Sequence, residues 1–381
     1  MDRPRILIVG AGATGLAAAW ALDAAGVADW TLVDCERPLS DGRASAVDRA
    51  GFLYDPAARP FYRDDATFAA ILDAVLGCEH VEHTLARRDA RDLERCEGCG
   101  AVPGSRYWFP RSGGTGAFLR GVRARLSANR VERHARLVGV DLAHRALVFS
   151  DGEVLQFDVL VSTLPLPRLV ALLPQMTEVA CIAARLRCDA AHVVSVGIEG
   201  APPQDLRDRA FAALSNDRGG FDALTFLSHL SPANVPSPGR QWSVLVESRE
   251  TLRATSSVVG RGETRSMVQQ TVDRLVEADV IPAESAIVNL RHDRIALGAP
   301  LDDPGGAVAE ILTRLDAHGI VSRGRLGSWN AALIDPDLLF LEGFEAAEEA
   351  CALAGTDLAS ARAAPPPWGE SRDVAWRGFE W

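Results

Sequence analysis

Residues Arg5-Ile-Leu-Ile-Val-Gly-Ala-Gly-Ala-Thr-Gly-Leu-Ala-Ala-Ala-Trp-Ala-Leu22, followed by Trp30-Thr-Leu-Val-Asp34, decide the fold. Ile6 to Val9 is a short β-branched apolar run, as a buried parallel strand requires. Gly10, Gly12 and Gly15 then fall in G-x-G-x-x-G spacing, and the pattern switches to an Ala/Leu-rich helix. In such a turn the first glycine makes the bend, the second lets the backbone approach a pyrophosphate, and the third lets helix and strand pack. The free N–H groups at the start of the helix, around Ala13 and Thr14, are where phosphates would sit. A second strand ends in Asp34 and Cys35, about twenty residues past the last glycine, where a carboxylate can bind ribose hydroxyls. Asp34 disfavours a 2′-phosphate, so the expected ligand is FAD or NAD rather than NADP.

The remaining composition narrows the function. At 381 residues the chain can hold more than one domain, and a net charge of −11 makes nucleic acid a poor partner. No apolar run approaches membrane-spanning length and the N-terminus enters a strand directly, so a cytoplasmic location is expected. All 40 basic residues are arginine, which excludes Schiff-base or lysine general-base chemistry. The seven cysteines are scattered and imply no disulfide framework. Cys78, His80, His83, Cys96 and Cys99 lie close in sequence but do not match a common zinc spacing, so no metal is assigned.

Along the chain, the loop Gly42-Arg43-Ala44 leaves the second strand, where Arg43 could grip a pyrophosphate in bidentate fashion. Gly51 to Tyr62 reads as a strand running into a constrained loop, and residues 64–81 as an amphipathic helix. The Arg-rich stretch 87–95 reads as a solvated hairpin or helix, and Gly113-Gly114 opens a helix running to Leu126. Strands follow over 135–140, 146–149 and 156–163, with an Asp151-Gly152 turn. Strands over 193–198, 223–227 and 242–247 and helices over 263–278 and 306–318 form a second region. Asp335-Pro336-Asp337 reads as a helix start. Residues 362–381, with three consecutive prolines, read as an extended arm that docks on the body or on a second subunit.

The order G-x-G-x-x-G, Asp34, Gly42-Arg43 and Gly51-Phe-x-x-Asp55 is similar to the flavoprotein superfamily of amine oxidases, protoporphyrinogen oxidases and UDP-galactopyranose mutases. The resemblance covers the first sixty residues, 131–163 and 321–350. It implies an α/β fold: a Rossmann-type FAD-binding domain, with a parallel sheet plus β-meander, and an α+β substrate-binding domain. The FAD domain would be assembled from 1–63, 126–165 and 319–361, with 64–125 on the substrate side and 166–318 as the substrate domain. The resemblance places Ala57 and Ala58 beside the flavin, where the superfamily usually has glycines. It also places Leu137 at the adenine, Ser162 and Thr163 where the chain returns past the cofactor, and Gly327 and Ser328 near the phosphates and ribityl chain. Leu341 would lie near the ring.

The activity implied first is an FAD-dependent oxidoreductase taking a hydride from an organic substrate. Arg59, Tyr62 and Trp329 are candidates for the pocket face, and His229 for an acid/base. The alternatives are a non-redox mutase acting on a nucleotide sugar, which the Gly324-Arg-Leu-Gly327 turn suits, and an FAD-binding protein without catalysis, which the alanines at 57 and 58 suit. The expected partners are a small-molecule substrate and a homodimer mate, with neither nucleic acid nor membrane.

Overall fold

The computed structural model describes residues 4–35, 47–56, 58–97, 102–216, 220–253, 261–301, 303 and 305–356. Its centre is a five-stranded parallel sheet in the order Ile320–Ser322, Val159–Ser162, Ile6–Val9, Trp30–Cys35, Val131–His134. Side chains alternate across a strand, and the opening strand is apolar at every position because both of its faces are covered. Ile6 and Ile8 meet the opening helix Ala13–Ala24 and the closing helix Pro336–Leu353. Leu7 and Val9 meet a three-stranded meander, Leu137–Asp141, Ala146–Phe149 and Val154–Gln156, with the helices behind it.

The opening helix is buried continuously from Thr14 to Asp23, which explains why its sequence is apolar all round rather than on one stripe. Two glycines permit this. A Cβ at Gly15 would overlap the Gly10 carbonyl oxygen, and a Cβ at Gly343 in the closing helix would overlap the Thr14 carbonyl and lie 2.5 Å from Ala17 Cβ. The two helices therefore meet backbone to backbone, and Phe340 and Phe344 fill the space on either side.

The second region is a five-stranded antiparallel sheet in the order Phe211–Ser215, Phe221–Thr225, Gln241–Arg253, Arg187–Glu199, Ile287–Pro300. One face packs on Leu275 of the helix Arg261–Glu277. The other packs on Phe52 and Tyr54 of the hairpin Val47–Arg49/Phe52–Tyr54. A small sheet of Phe61–Tyr62, Arg106–Pro110 and His80–Thr84 lies beyond.

Several boundaries differ from the sequence reading. The helix expected over 64–81 is Ala66–Leu76, ended by Gly77 at φ +54°, and Val81 belongs to a strand paired with Phe109. Apolar residues on both sides of that glycine blur the change of period. The strand expected over 156–163 is two: Val154–Gln156 closes the meander, and Val159–Ser162 enters the parallel sheet. Phe157 and Asp158 make the switch, with Asp158 Oδ2 accepting the Arg5 N–H at 2.7 Å.

Gly343→Ala should destabilise the fold by about 1–3 kcal/mol through overpacking. Urea unfolding checks it, and a midpoint equal to wild type would mean that the helices are free to separate.

Candidate functional site

A cavity of about 230 Å3 lies between the parallel and antiparallel sheets. Gly12, Ala13 and Thr14 form one end, at the start of the opening helix. That helix has no side-chain cap and no acid in its first turn, so its positive end has no protein anion in the first turn. A Cβ at Gly12 would meet nothing within 4 Å: the space beside this residue is open toward the cavity. Thr163 follows, its Oγ1 donating to the Val9 carbonyl at 3.0 Å. Gly324, Arg325 and Leu326 continue the wall, and Pro336 and Leu339 bring the start of the closing helix to it. The first end of this groove has what a diphosphate needs, open space beside the backbone and unpaired helix-end N–H groups. A second helix N-terminus stands further along.

The opposite wall comes from the antiparallel sheet: Ala191, Glu247, Ile295 and Gly298. Val193 is in register with Glu247 and Ala191 with Ile295, so these positions share one face. Glu247 is buried and accepts from Arg59 at 3.4 Å and from Arg249 Nε at 3.2 Å. Arg59 also donates to the Ala58 carbonyl at 2.9 Å. The Arg59–Glu247 pair therefore joins the loop of the parallel-sheet half to the facing sheet. Asp55 anchors that loop from behind: it is 1% exposed and accepts the Thr115 N–H at 2.6 Å, capping the helix Gly114–Arg123. The Gly-Phe-x-x-Asp and Gly-Gly-Thr-Gly segments of the sequence are two halves of this one contact.

Of the residues singled out from sequence, Gly12, Ala13, Thr14, Arg59 and Thr163 line the cavity. Gly10 and Gly15 lie beneath it as the turn and the packing contact, Gly10 at φ +106°. Asp34, next to last in the second strand, is in register with Arg133. Ser162 is fully buried at the end of its strand, and Gly327 O accepts from Ser322 Oγ at 2.9 Å. Ser328 Oγ donates to Gly324 O, Leu137 is core of the meander, Ala58 packs under the hairpin, and Leu341 packs on the opening-helix core. Gly42, Arg43, Ala44 and Ala57, and the side chain of Cys35, lie outside the described residues.

Three of the four catalytic candidates are not brought to the cavity wall. Tyr62 faces Tyr107 edge-on at 6.4 Å. Trp329 is buried in the core of the meander face, at φ +55°. His229 stacks on Phe226, and its Nδ1 is bonded to the Arg209 carbonyl at 2.6 Å. Burial holds its pKa below the ordinary value, against the opposing pull of that bond. A short helix, Leu227–Leu230, sets that direction, and single-sequence reading has no signal for it. Sequence reasoning missed Glu247, hidden as one of two acids in an ordinary strand. His80 and His83 are also committed elsewhere. His80 stacks on Trp108 and bonds Gly77 O, while His83 stacks on Tyr107 and bonds Leu230 O. Among the described residues, no three His, Cys, Asp or Glu side chains are placed to share a metal.

No protein-family model matches the chain. Among solved structures it is similar to reduced UDP-galactopyranose mutase, with TM-score 0.80 and 20% identity over 96% of this chain and 97% of that one. The fold is that of the mutase. It is also similar to a CLA-producing fatty acid isomerase from P. acnes, with TM-score 0.61 and 14% identity over 90% and 97% of the two chains. A Pyrococcus furiosus protein, PF1083, gives TM-score 0.56 and 12% identity over 91% and 97%. Among the described residues no helix is long and apolar enough to cross a membrane.

Asp337, in the first turn of the closing helix, is buried, and its Oδ1 has no partner. Burial raises its pKa to about 6, the backbone N–H groups of Asp337 and Leu338 oppose this, and Asp64 and Asp65 add to it. The folded protein thus holds this proton where the unfolded chain releases it. Stability from this group is present below pH 4 and is lost as pH rises through about 6. Asp337→Asn should unfold at higher denaturant than wild type at pH 8, by about 1–3 kcal/mol, with the gap closing by pH 4. A gap independent of pH would refute the assignment.

Proposed function

We propose that the chain is an FAD-dependent enzyme that isomerises a small polar substrate without net oxidation. The observation that carries it is the cavity itself, which runs from the open, uncapped end of the opening helix to the start of the closing helix. The residues fit FAD. The N–H groups of Ala13 and Thr14 and the open side of Gly12 suit the diphosphate, Thr163 and Gly324 suit the chain between, and Pro336 and Leu339 suit the ring. Bound flavin supplies an electron-pair donor when reduced and a hydride acceptor when oxidised.

The chain's own residues do the rest. The start of the closing helix, whose first turn carries Asp337, would stand beside the ring. Arg59, steadied by Glu247, presents a guanidinium at the facing wall, suited to hold and orient an acidic group of the substrate. Apolar Leu119, Ile295, Leu333 and Ile334 keep water from the reacting atoms. Tyr62 and Trp329 act as packing behind the wall, and His229 takes no part. The isomerase reading draws support from the likeness in fold to a mutase and an isomerase. The same apolar wall also suits hydride transfer from a substrate carbon, which keeps an oxidoreductase as the second reading.

Purified protein loaded with FAD and reduced with dithionite should convert a nucleotide sugar into an isomer of equal mass, with the flavin still reduced at the end. Anaerobic bleaching of the oxidised flavin by an amine, with a product two mass units lighter, would instead establish the oxidoreductase. Arg59→Gln should lower kcat/KM about 10- to 100-fold, the loss of one charge-assisted hydrogen bond.

A further inference from the structure

The strand Ile287–Pro300 is an edge: it pairs with Arg187–Glu199, and its outer side pairs with no described strand. At fourteen residues it is long for an exposed edge, and such edges are normally shortened, broken or charged. This one is sticky. Of the seven large apolar side chains exposed among the described residues, Ile287, Val288 and Leu290 all lie on it.

The middle of the strand reads Arg291-His292-Asp293, charges of opposite sign flanking a central residue. Two copies related by a two-fold axis normal to the sheet pair antiparallel, with like-facing residues opposite. With the axis at His292, Arg291 stands opposite Asp293 of the second copy and the reverse. The two nearest alternatives centre on Arg291 or Asp293 and set like charges face to face. Within one chain Arg291 Nη2 donates to Asp293 Oδ1 at 2.6 Å, so the two charges already stand on one face of the strand. The same register sets Ile287 against Leu297 and Val288 against Ala296. His292 itself meets His292 across the axis, and burial and the neighbouring His192 hold it toward the neutral form, so the imidazoles do not repel.

We propose that this strand is a homodimer interface, joining two five-stranded sheets edge to edge into one continuous ten-stranded sheet through the His292-centred register. It does not depend on what the cavity binds.

Sedimentation velocity of the full-length protein at micromolar concentration should give twice 40.8 kDa. Val288→Lys/Leu290→Lys, which alters exposed side chains, should give a single-chain mass with unchanged circular dichroism. His292→Cys should form a covalent dimer under mild oxidation, because residues opposite one another lie within disulfide reach. Leu290→Cys, offset by four residues or about 13 Å from its own copy, should form no more covalent dimer than wild type. A single-chain mass for wild type, a dimer surviving in the lysine variant, or equal cross-linking of the two cysteine variants would each overturn the proposal. If the lysine variant fails to fold, the cysteine pair decides.

Discussion

The backbone of the closing helix touches the backbone of the opening helix at Gly343, and the site depends on that contact. Thr14, whose carbonyl lies where a Gly343 Cβ would be, also lines the cavity. The crossing therefore fixes the start of one helix against the body of the other. A residue from near the end of the chain sets the geometry of its first turn. Any side chain at 343 would push the helices apart and widen the groove between their ends. Burial of the whole opening helix between sheet and closing helix follows from the same approach.

A second constraint operates from the other direction. Buried Asp55 ends the hairpin segment by capping the Gly114–Arg123 helix, and Pro56 and Arg59 beyond it line the cavity. Glu247 then receives Arg59, and the two halves of the molecule meet through a salt bridge at the cavity wall rather than through apolar packing alone. An ion pair at such a place contributes little to stability on balance. Its effect is to fix direction, since a guanidinium tied to two oxygen acceptors has few orientations left.

The parallel-sheet half was legible in the sequence because its local signals and its tertiary role coincide. A four-residue apolar strand, three spaced glycines and an Ala/Leu helix can be assembled in essentially one way, and Gly12, Ala13, Thr14 and Thr163 duly line the cavity. The facing wall was not legible. Glu247 is one of two carboxylates in a thirteen-residue strand, and only its register with Val193 puts it on the cavity face. Trp329 and Tyr62 look like site residues because aromatics are rare here, yet the packing needs of the two cores claim them. His229 was lost to a four-residue helix whose direction is set by tertiary contacts. Gly343 looked like an ordinary helical glycine because its partner lies more than 300 residues away in the chain.

The central claim is that a diphosphate lies against the backbone at Gly12. Equilibrium titration of apoprotein with FAD, followed by flavin fluorescence, tests it through Gly12→Val. The added side chain enters open space at an extended backbone position, φ −78° and ψ −175°, so the fold should be undisturbed. Wild type should bind FAD, and the variant should unfold at the wild-type denaturant concentration yet bind about 100-fold more weakly. Equal affinity for the two proteins, or no uptake by wild type, would contradict the account.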